Sequence, residues 1–274
     1  MPPRSLAVVK ESATAASVFV QIKGVDKVFA SRGRAALKAV DNISFDIGAG
    51  EFVSIVGPSG CGKSTLMMMV SGLVPATAGE VFVADKKVSR PYAGLGIVFQ
   101  RDALLEWRTV IDNVLFQADI CRLDRPELKT KAESLLARAG LSGFEKYYPW
   151  ELSGGMRQRV AICRALVCNP SLLLMDEPFG ALDAMTREQM NLDLQRIWLE
   201  DRKTVLFITH SISEAVFLSD RVIVMSPRPG RVAADIAIDL PRPRKLSMRE
   251  TGSFGRYVSQ IREKFQSFGL LKED

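Results

Sequence analysis

Short apolar runs alternate along this chain with longer stretches of helical spacing. Val18-Phe19-Val20-Gln21-Ile22-Lys23 alternates like a half-buried strand, and Ile43 to Ile47 predicts a second, with a turn at Ala30-Ser31-Arg32-Gly33-Arg34 between them. Phe52-Val53-Ser54-Ile55-Val56 is a buried-strand run, followed after a glycine-rich loop by the helix-compatible stretch Ser64 to Val70. Gly79 opens a strand over 80–84, and Gly96-Ile97-Val98-Phe99 reads as another buried strand, ending at Gln100. From Trp107 to about Gly140 the spacing turns helical, with leucines at 128, 135 and 136 among charged residues. Pro149 closes that section and Ser153 begins a helix running through Leu166. Strands at 172–175, 204–209 and 221–225 are then separated by helices at 184–199 and 213–218.

Strands alternating with helices predict an α/β fold with a mainly parallel sheet covered on both faces. The helical stretch from about 101 to 165 reads as a subdomain inserted between strands, and no internal repeat is present. Residues 1–17, rich in Ala, Ser and Pro, are expected to form a flexible tail. From Pro227 onward, arginines 228, 231, 242, 244 and 249 and Lys245 lie among prolines and predict a solvated basic linker, with lipid headgroups or a partner as the second reading. Residues 241–274 form a basic extension, and 252–271 predict a weak amphipathic helix.

Composition narrows the class without choosing within it. The 274 residues are 47% hydrophobic and 25% charged, with mean hydropathy +0.08. No run approaches the roughly 20 apolar residues a membrane helix needs, and the N-terminus lacks the apolar core of a secretory signal. The net charge of +6 suits an anionic surface but decides nothing alone. Cys61, Cys121, Cys163 and Cys168 form no C-x-x-C pair, so neither a zinc site nor a disulfide framework is expected.

The loop after the strand at 52–56 carries the chemistry. Gly57-Pro58-Ser59-Gly60-Cys61-Gly62-Lys63-Ser64-Thr65 fits G-x-x-x-x-G-K-[ST] between a strand and a helix, the context that makes it a triphosphate cradle. Glycines let successive N–H groups face an anion, and the helix adds its positive end. Lys63 is expected to reach the β and γ phosphates, and Ser64 to ligate Mg²⁺. Cys61 reads as a space-filler, with a reactive thiol as the second reading because a phosphate-binding field favours thiolate.

Leu172 to Met175 ends in Asp176-Glu177. An aspartate at that strand end is placed to hold Mg²⁺. Strand alternation turns Glu177 elsewhere, free to polarise a water attacking the γ-phosphate. Ser153-Gly154-Gly155 makes a second anion site from a capped helix start. One triphosphate rarely needs two such loops from one chain, so a two-fold dimer sharing its sites is the economical geometry. His210, the chain's one histidine, follows a strand beside the candidate site and could orient the attacking water.

Together these stretches resemble the ATP-binding subunits of ABC transporters over roughly residues 18–240. The resemblance makes Gly57 to Thr65 the Walker A loop, Leu172 to Asp176 the Walker B strand and Glu177 the catalytic glutamate. Leu152 to Gln158 becomes the signature loop, Asp183 the end of the D-loop and His210 the switch histidine. Gln100 matches the Q-loop glutamine, at both nucleotide and metal, and Phe29 falls where an aromatic, more often tyrosine, stacks on adenine. It implies a P-loop NTPase core with an N-terminal antiparallel β part and an inserted helical subdomain. ATP and Mg²⁺ would be cofactors. Partners would be a second ATPase chain, a membrane permease touching residues 100–114 and, indirectly, an extracytoplasmic solute-binding protein, with no nucleic acid. The chain would sit peripherally on the cytoplasmic face of the membrane.

Leu105-Glu106-Trp107-Arg108-Thr109-Val110, Phe179 to Asp183 and Asp239-Leu240-Pro241-Arg242-Pro243-Arg244 are similar to the nitrate, sulfonate and taurine import group. Glu106 and Trp150 depart from its usual proline and histidine. A soluble ABC-type ATPase of DNA repair or translation is the alternative, but such proteins carry two cores or a long coiled coil. A nucleotide-binding regulator without turnover is opposed by Glu177 and His210.

Overall fold

The computed structural model describes residues 17–30 and 35–269. The expected tail up to residue 16 and the turn at 31–34 lie outside those residues. In chain order the elements are β1 (Val18–Phe29), β2 (Leu37–Gly48), β3 (Phe52–Val56), α1 (Lys63–Val70), β4 (Ala78–Val83), β5 (Lys86–Lys87) and β6 (Leu95–Val98). The helical stretch follows as α2 (Val110–Val114), α3 (Phe116–Cys121), α4 (Arg125–Arg138) and α5 (Gly154–Leu166). Then come β7 (Leu172–Asp176), α6 (Ala184–Asp201), β8 (Thr204–Ile208), α7 (Ile212–Leu218), β9 (Arg221–Met225), β10 (Val232–Ala237) and α8 (Gly252–Ser267).

The main sheet has the order β10-β9-β3-β8-β7-β6, parallel throughout except for β10 at the edge. Its strands are apolar on both faces, and alternation splits them between two cores. Phe52, Val56, Leu173, Met175, Val205 and Phe207 join one cluster with buried residues of α5 to α8. Val53, Ile55, Leu172, Leu174, Leu206 and Ile208 face the other cluster. That second face is covered by α1 and by an antiparallel sheet of order β2-β1-β4-β5, rather than by helices alone. Burial of these strands supplies the main stabilisation, about 1.5–3 kcal/mol per fully buried Val, Leu, Ile or Phe.

Beyond Pro227 the structure overturns the solvated-linker expectation. Val232–Ala237 pairs with β9, and Phe254 and Ile261 of α8 are buried in the first cluster. Arg242 donates to Asp220 and lies over the Trp198 ring at 4.3 Å. Arg244 is only 2% exposed. Its guanidinium donates to the carbonyls of Val216, Phe217 and Ser219 at the C-terminal end of α7, and to Ile238 and Leu240. Charge counting missed this because helix-end carbonyls and the dipole can host an arginine without any acid. Burial pulls the Arg244 pKa down to about 10. Arg244→Ala leaves several buried carbonyls without donors, and a loss of about 3 kcal/mol is expected by chemical denaturation.

Candidate nucleotide site

The strands β6, β7, β3, β8 and β9 run parallel and end at one edge, where ligands of open α/β sheets bind. β3 leads into the loop 57–62. Gly62 precedes α1 with φ +103°, and a Cβ there would lie 2.8 Å from the Ala39 carbonyl, so both backbone and space require glycine. The first helical bond runs from Leu66 N to Gly62 O, so the N–H groups of Lys63, Ser64 and Thr65 lack partners within the helix. Buried Lys63 donates its Nζ to the carbonyls of Gly57 (2.9 Å) and Pro58 (3.1 Å), drawing the loop around its ammonium. A pocket of about 390 Å³ opens there, lined by Ser59, Gly60 and Gly62 through Thr65 and by Asp176, Glu177 and Gln100. Phe29, 40% exposed, lines its mouth.

Asp176 shares its strand parity with Leu172 and Leu174, which puts it on the α1 face of the sheet. Ser64 lines the same pocket as Asp176, and burial pushes the Asp176 pKa up, with the Ser64 hydroxyl opposing that shift. Glu177 corrects the alternation argument. The strand stops at Asp176, and Glu177 takes φ +45°, so both acids line one pocket instead of opposite faces. A left-handed glutamate costs on the order of 1 kcal/mol or more, a strain typical of functional sites. Its Oε2 accepts from Gln100 Nε2 (3.4 Å) and His210 Nδ1 (3.2 Å), while its N–H donates to Ile208 O (2.9 Å). Loops after three separate strands thus converge on one carboxylate.

Cys61 is buried, and burial pushes its thiol pKa up despite nearby Lys63, against the reactive-thiol reading. Ser153, Gly154 and Gly155 do not line the pocket. Ser153 caps α5 by accepting from Met156 N (3.3 Å), and Asp183 caps α6 by accepting from Thr186 N (3.0 Å). The two caps are neighbours, since a Cβ on Gly155 would meet Thr186 Cγ2 at 2.8 Å. Ser153, Gly154 and Asp183 are exposed there. Glu106 and Trp150 are also exposed, Trp150 stacked on Tyr148 at 4.6 Å.

Sequence reasoning missed Glu214, Arg187 and the pocket role of Arg228. Glu214, the one charged residue of α7, is buried and accepts from Thr209 Oγ1 (2.6 Å). Arg187 pairs with Glu214 (3.5 Å) and donates to the carbonyls of Phe179 and Leu182. That chain ties the residue before His210 to the turn before Asp183. The signal for Glu214 was its single charge on a mostly apolar helix. Arg228 lines the pocket beside Lys63, and its only signal was its place between two prolines.

The ABC transporter family model matches residues 40–180. The chain is 50% identical to the taurine import ATP-binding protein TauB of Rhizobium johnstonii, over 78% of this chain and 82% of that protein. It is 40% identical to the aliphatic sulfonates import ATP-binding protein SsuB of Bacillus cereus, over 92% of this chain and 98% of that one. Among solved structures, the dimeric post-hydrolysis state of an ATP-binding cassette bound to ADP and phosphate superposes with a TM-score of 0.71. It shares 34% identity, over 81% of this chain and all of the other. With a phosphate loop, two acids and a histidine at one sheet edge and this degree of likeness to import cassettes, the chain belongs to the ABC transporter ATP-binding proteins, as an ATPase subunit resembling those of taurine and sulfonate import.

Proposed function

We propose that this subunit hydrolyses ATP in a two-fold dimer on the cytoplasmic face of a membrane and thereby drives import of taurine, a sulfonate, nitrate or a similar small solute. The observation that carries the catalytic part is the meeting of Gln100, His210 and Glu177 on one carboxylate oxygen beside the phosphate loop. Lys63 and the N–H groups of Lys63 to Thr65 bind the phosphates, with Gly57 to Gly62 shaping the loop. Phe29 stacks on the adenine. Glu177 takes the proton of the attacking water and His210 orients that water and the γ-phosphate.

Ser64, Asp176 and Gln100 fit Mg²⁺. Ser64 and Asp176 line one pocket beside the phosphate loop, offering two hard oxygen donors, and this ion takes few protein ligands and keeps its waters. A magnesium ion held there would supply charge neutralisation at the β and γ phosphates.

The second half of the site is Ser153-Gly154-Gly155 with Asp183, supplied by the facing chain. Their exposure away from the chain's own pocket supports that assignment, as does the dimeric state named for the solved relative. ATP binding closes the dimer and release reopens it. The motion passes to a permease through the helical subdomain, where Leu95, Phe99, Phe116 and Ile120 line a groove of about 370 Å³ close to Gln100. A solute-binding protein delivers the solute. Among the described residues no helix is long and apolar enough to cross a membrane.

Deleting the gene in its host tests the import reading. With taurine, an alkanesulfonate or nitrate as sole sulfur or nitrogen source, uptake of one should be lost and restored by the wild-type gene but not by Glu177→Gln. Unchanged uptake of all three contradicts the proposed solute class.

A further inference from the structure

Four of the five parallel strands deliver an assigned group to the pocket or, for His210 after β8, to Glu177 that lines it, and the fifth, β9, is a direct neighbour of β3. Past Met225 it enters the turn Ser226-Pro227-Arg228-Pro229-Gly230-Arg231. Ser226 N donates to Arg231 O (2.9 Å), Gly230 N donates to Ala39 O (3.0 Å) and Asp41 N donates to Gly230 O (3.0 Å). A Cβ on Gly230 would lie 2.0 Å from the Cys61 carbonyl oxygen. The turn is therefore seated against the phosphate loop with no room for a larger residue at 230.

From this seat Arg228 reaches the pocket that Lys63, Ser64 and Glu177 line. Its Nε and Nη2 both donate to the Gly60 carbonyl, at 3.0 and 2.9 Å. Nearby arginines are neutralised: Arg231 by Asp41, Arg242 by Asp220, and Arg221 by Glu51 and Asp235. Among the described residues Arg228 has no carboxylate within ion-pair distance. A guanidinium has five N–H donors, so Arg228 keeps unused donors and an uncompensated charge beside Lys63. The fork also ties the negative end of the Gly60 peptide to a cation instead of leaving it toward an anion.

We infer that Arg228 is a second cation for the nucleotide's polyphosphate, working alongside Lys63 and presented by the β9 turn. This rests on the ATP-site reading above. A charge held near the phosphates strengthens binding in proportion to ligand charge and survives replacement by lysine, whereas a mere brace of the loop weakens both phosphate ligands alike and needs the guanidinium fork on Gly60. The side chain is exposed, so screening keeps its effect moderate.

Calorimetric titration of the full chain with a non-hydrolysable ATP analogue, ADP and adenosine separates these roles. Arg228→Gln should weaken the triphosphate about tenfold and ADP about threefold, leaving adenosine unchanged. Arg228→Lys should recover most of the loss. In turnover, KM for ATP should rise while kcat at saturation holds within about twofold. Unchanged triphosphate affinity overturns the inference. Equal losses for the ATP analogue and ADP that Arg228→Lys does not recover also overturn it, leaving Arg228 as a brace of the loop. Lys63→Ala, run in parallel, keeps the two readings apart. If it weakens binding ten- to hundredfold, roughly the value of a charged hydrogen bond, while Arg228→Gln does nothing, the site stands and this inference fails. If Lys63→Ala binds normally, the site reading itself fails.

Discussion

Glu177→Gln should lower the ATPase kcat by about a hundred- to ten-thousandfold, the range a positioned general base supplies, while ATP affinity stays within about twofold. The amide keeps the shape of the side chain, and its oxygen still accepts from Gln100 and His210. What it loses is the ability to take a proton. The groups assigned to the phosphates, Lys63 and the N–H groups that open α1, belong to other elements and stay in place. The strained φ of +45° at residue 177 suits glutamine as well as glutamate, so no fold penalty confuses the result. Phosphate release reports kcat and calorimetry reports affinity. Full hydrolysis by this variant removes Glu177 from the role of base.

Lys63→Ala should act on the other parameter. Lys63 is only 6% exposed, and its ammonium is held by two loop carbonyls at 2.9 and 3.1 Å. Hydrogen bonds to charged groups are worth about 1.5–3 kcal/mol each, so losing those to phosphate should weaken ATP binding about ten- to hundredfold. The truncation also frees Gly57 and Pro58, loosening the loop that shapes the pocket. Calorimetric titration of the folded variant measures this, and an unchanged affinity contradicts the cradle.

Much of this architecture is legible in the chain because local signals agree with the fold. The run 52–56 is buried on both faces and forms a strand with those bounds, and Ser153 caps the helix that its spacing predicts. Glycines at 60 and 62 take the positive φ values the loop needs. What stayed hidden depended on tertiary geometry. Arg244 reads as one more surface cation until the carbonyls that end α7 surround it. Alternation places Asp176 but fails one residue later, where the strand stops and Glu177 turns left-handed. Arg228 looked like part of a basic tail because nothing local ties residue 228 to residue 60, yet two hydrogen bonds do.

The central claim is that a working site needs two chains, with the phosphate loop of one facing Ser153 of the other. Mass measurement in solution tests it most directly, using Glu177→Gln chains that bind ATP without consuming it. ATP should convert the monomer to a dimer holding two nucleotides. Adding Ser153→Arg should abolish that dimer while each chain still binds ATP, because Ser153 lies outside its own pocket. A chain that stays monomeric with saturating ATP and Mg²⁺, or a dimer untouched by Ser153→Arg, contradicts the shared site.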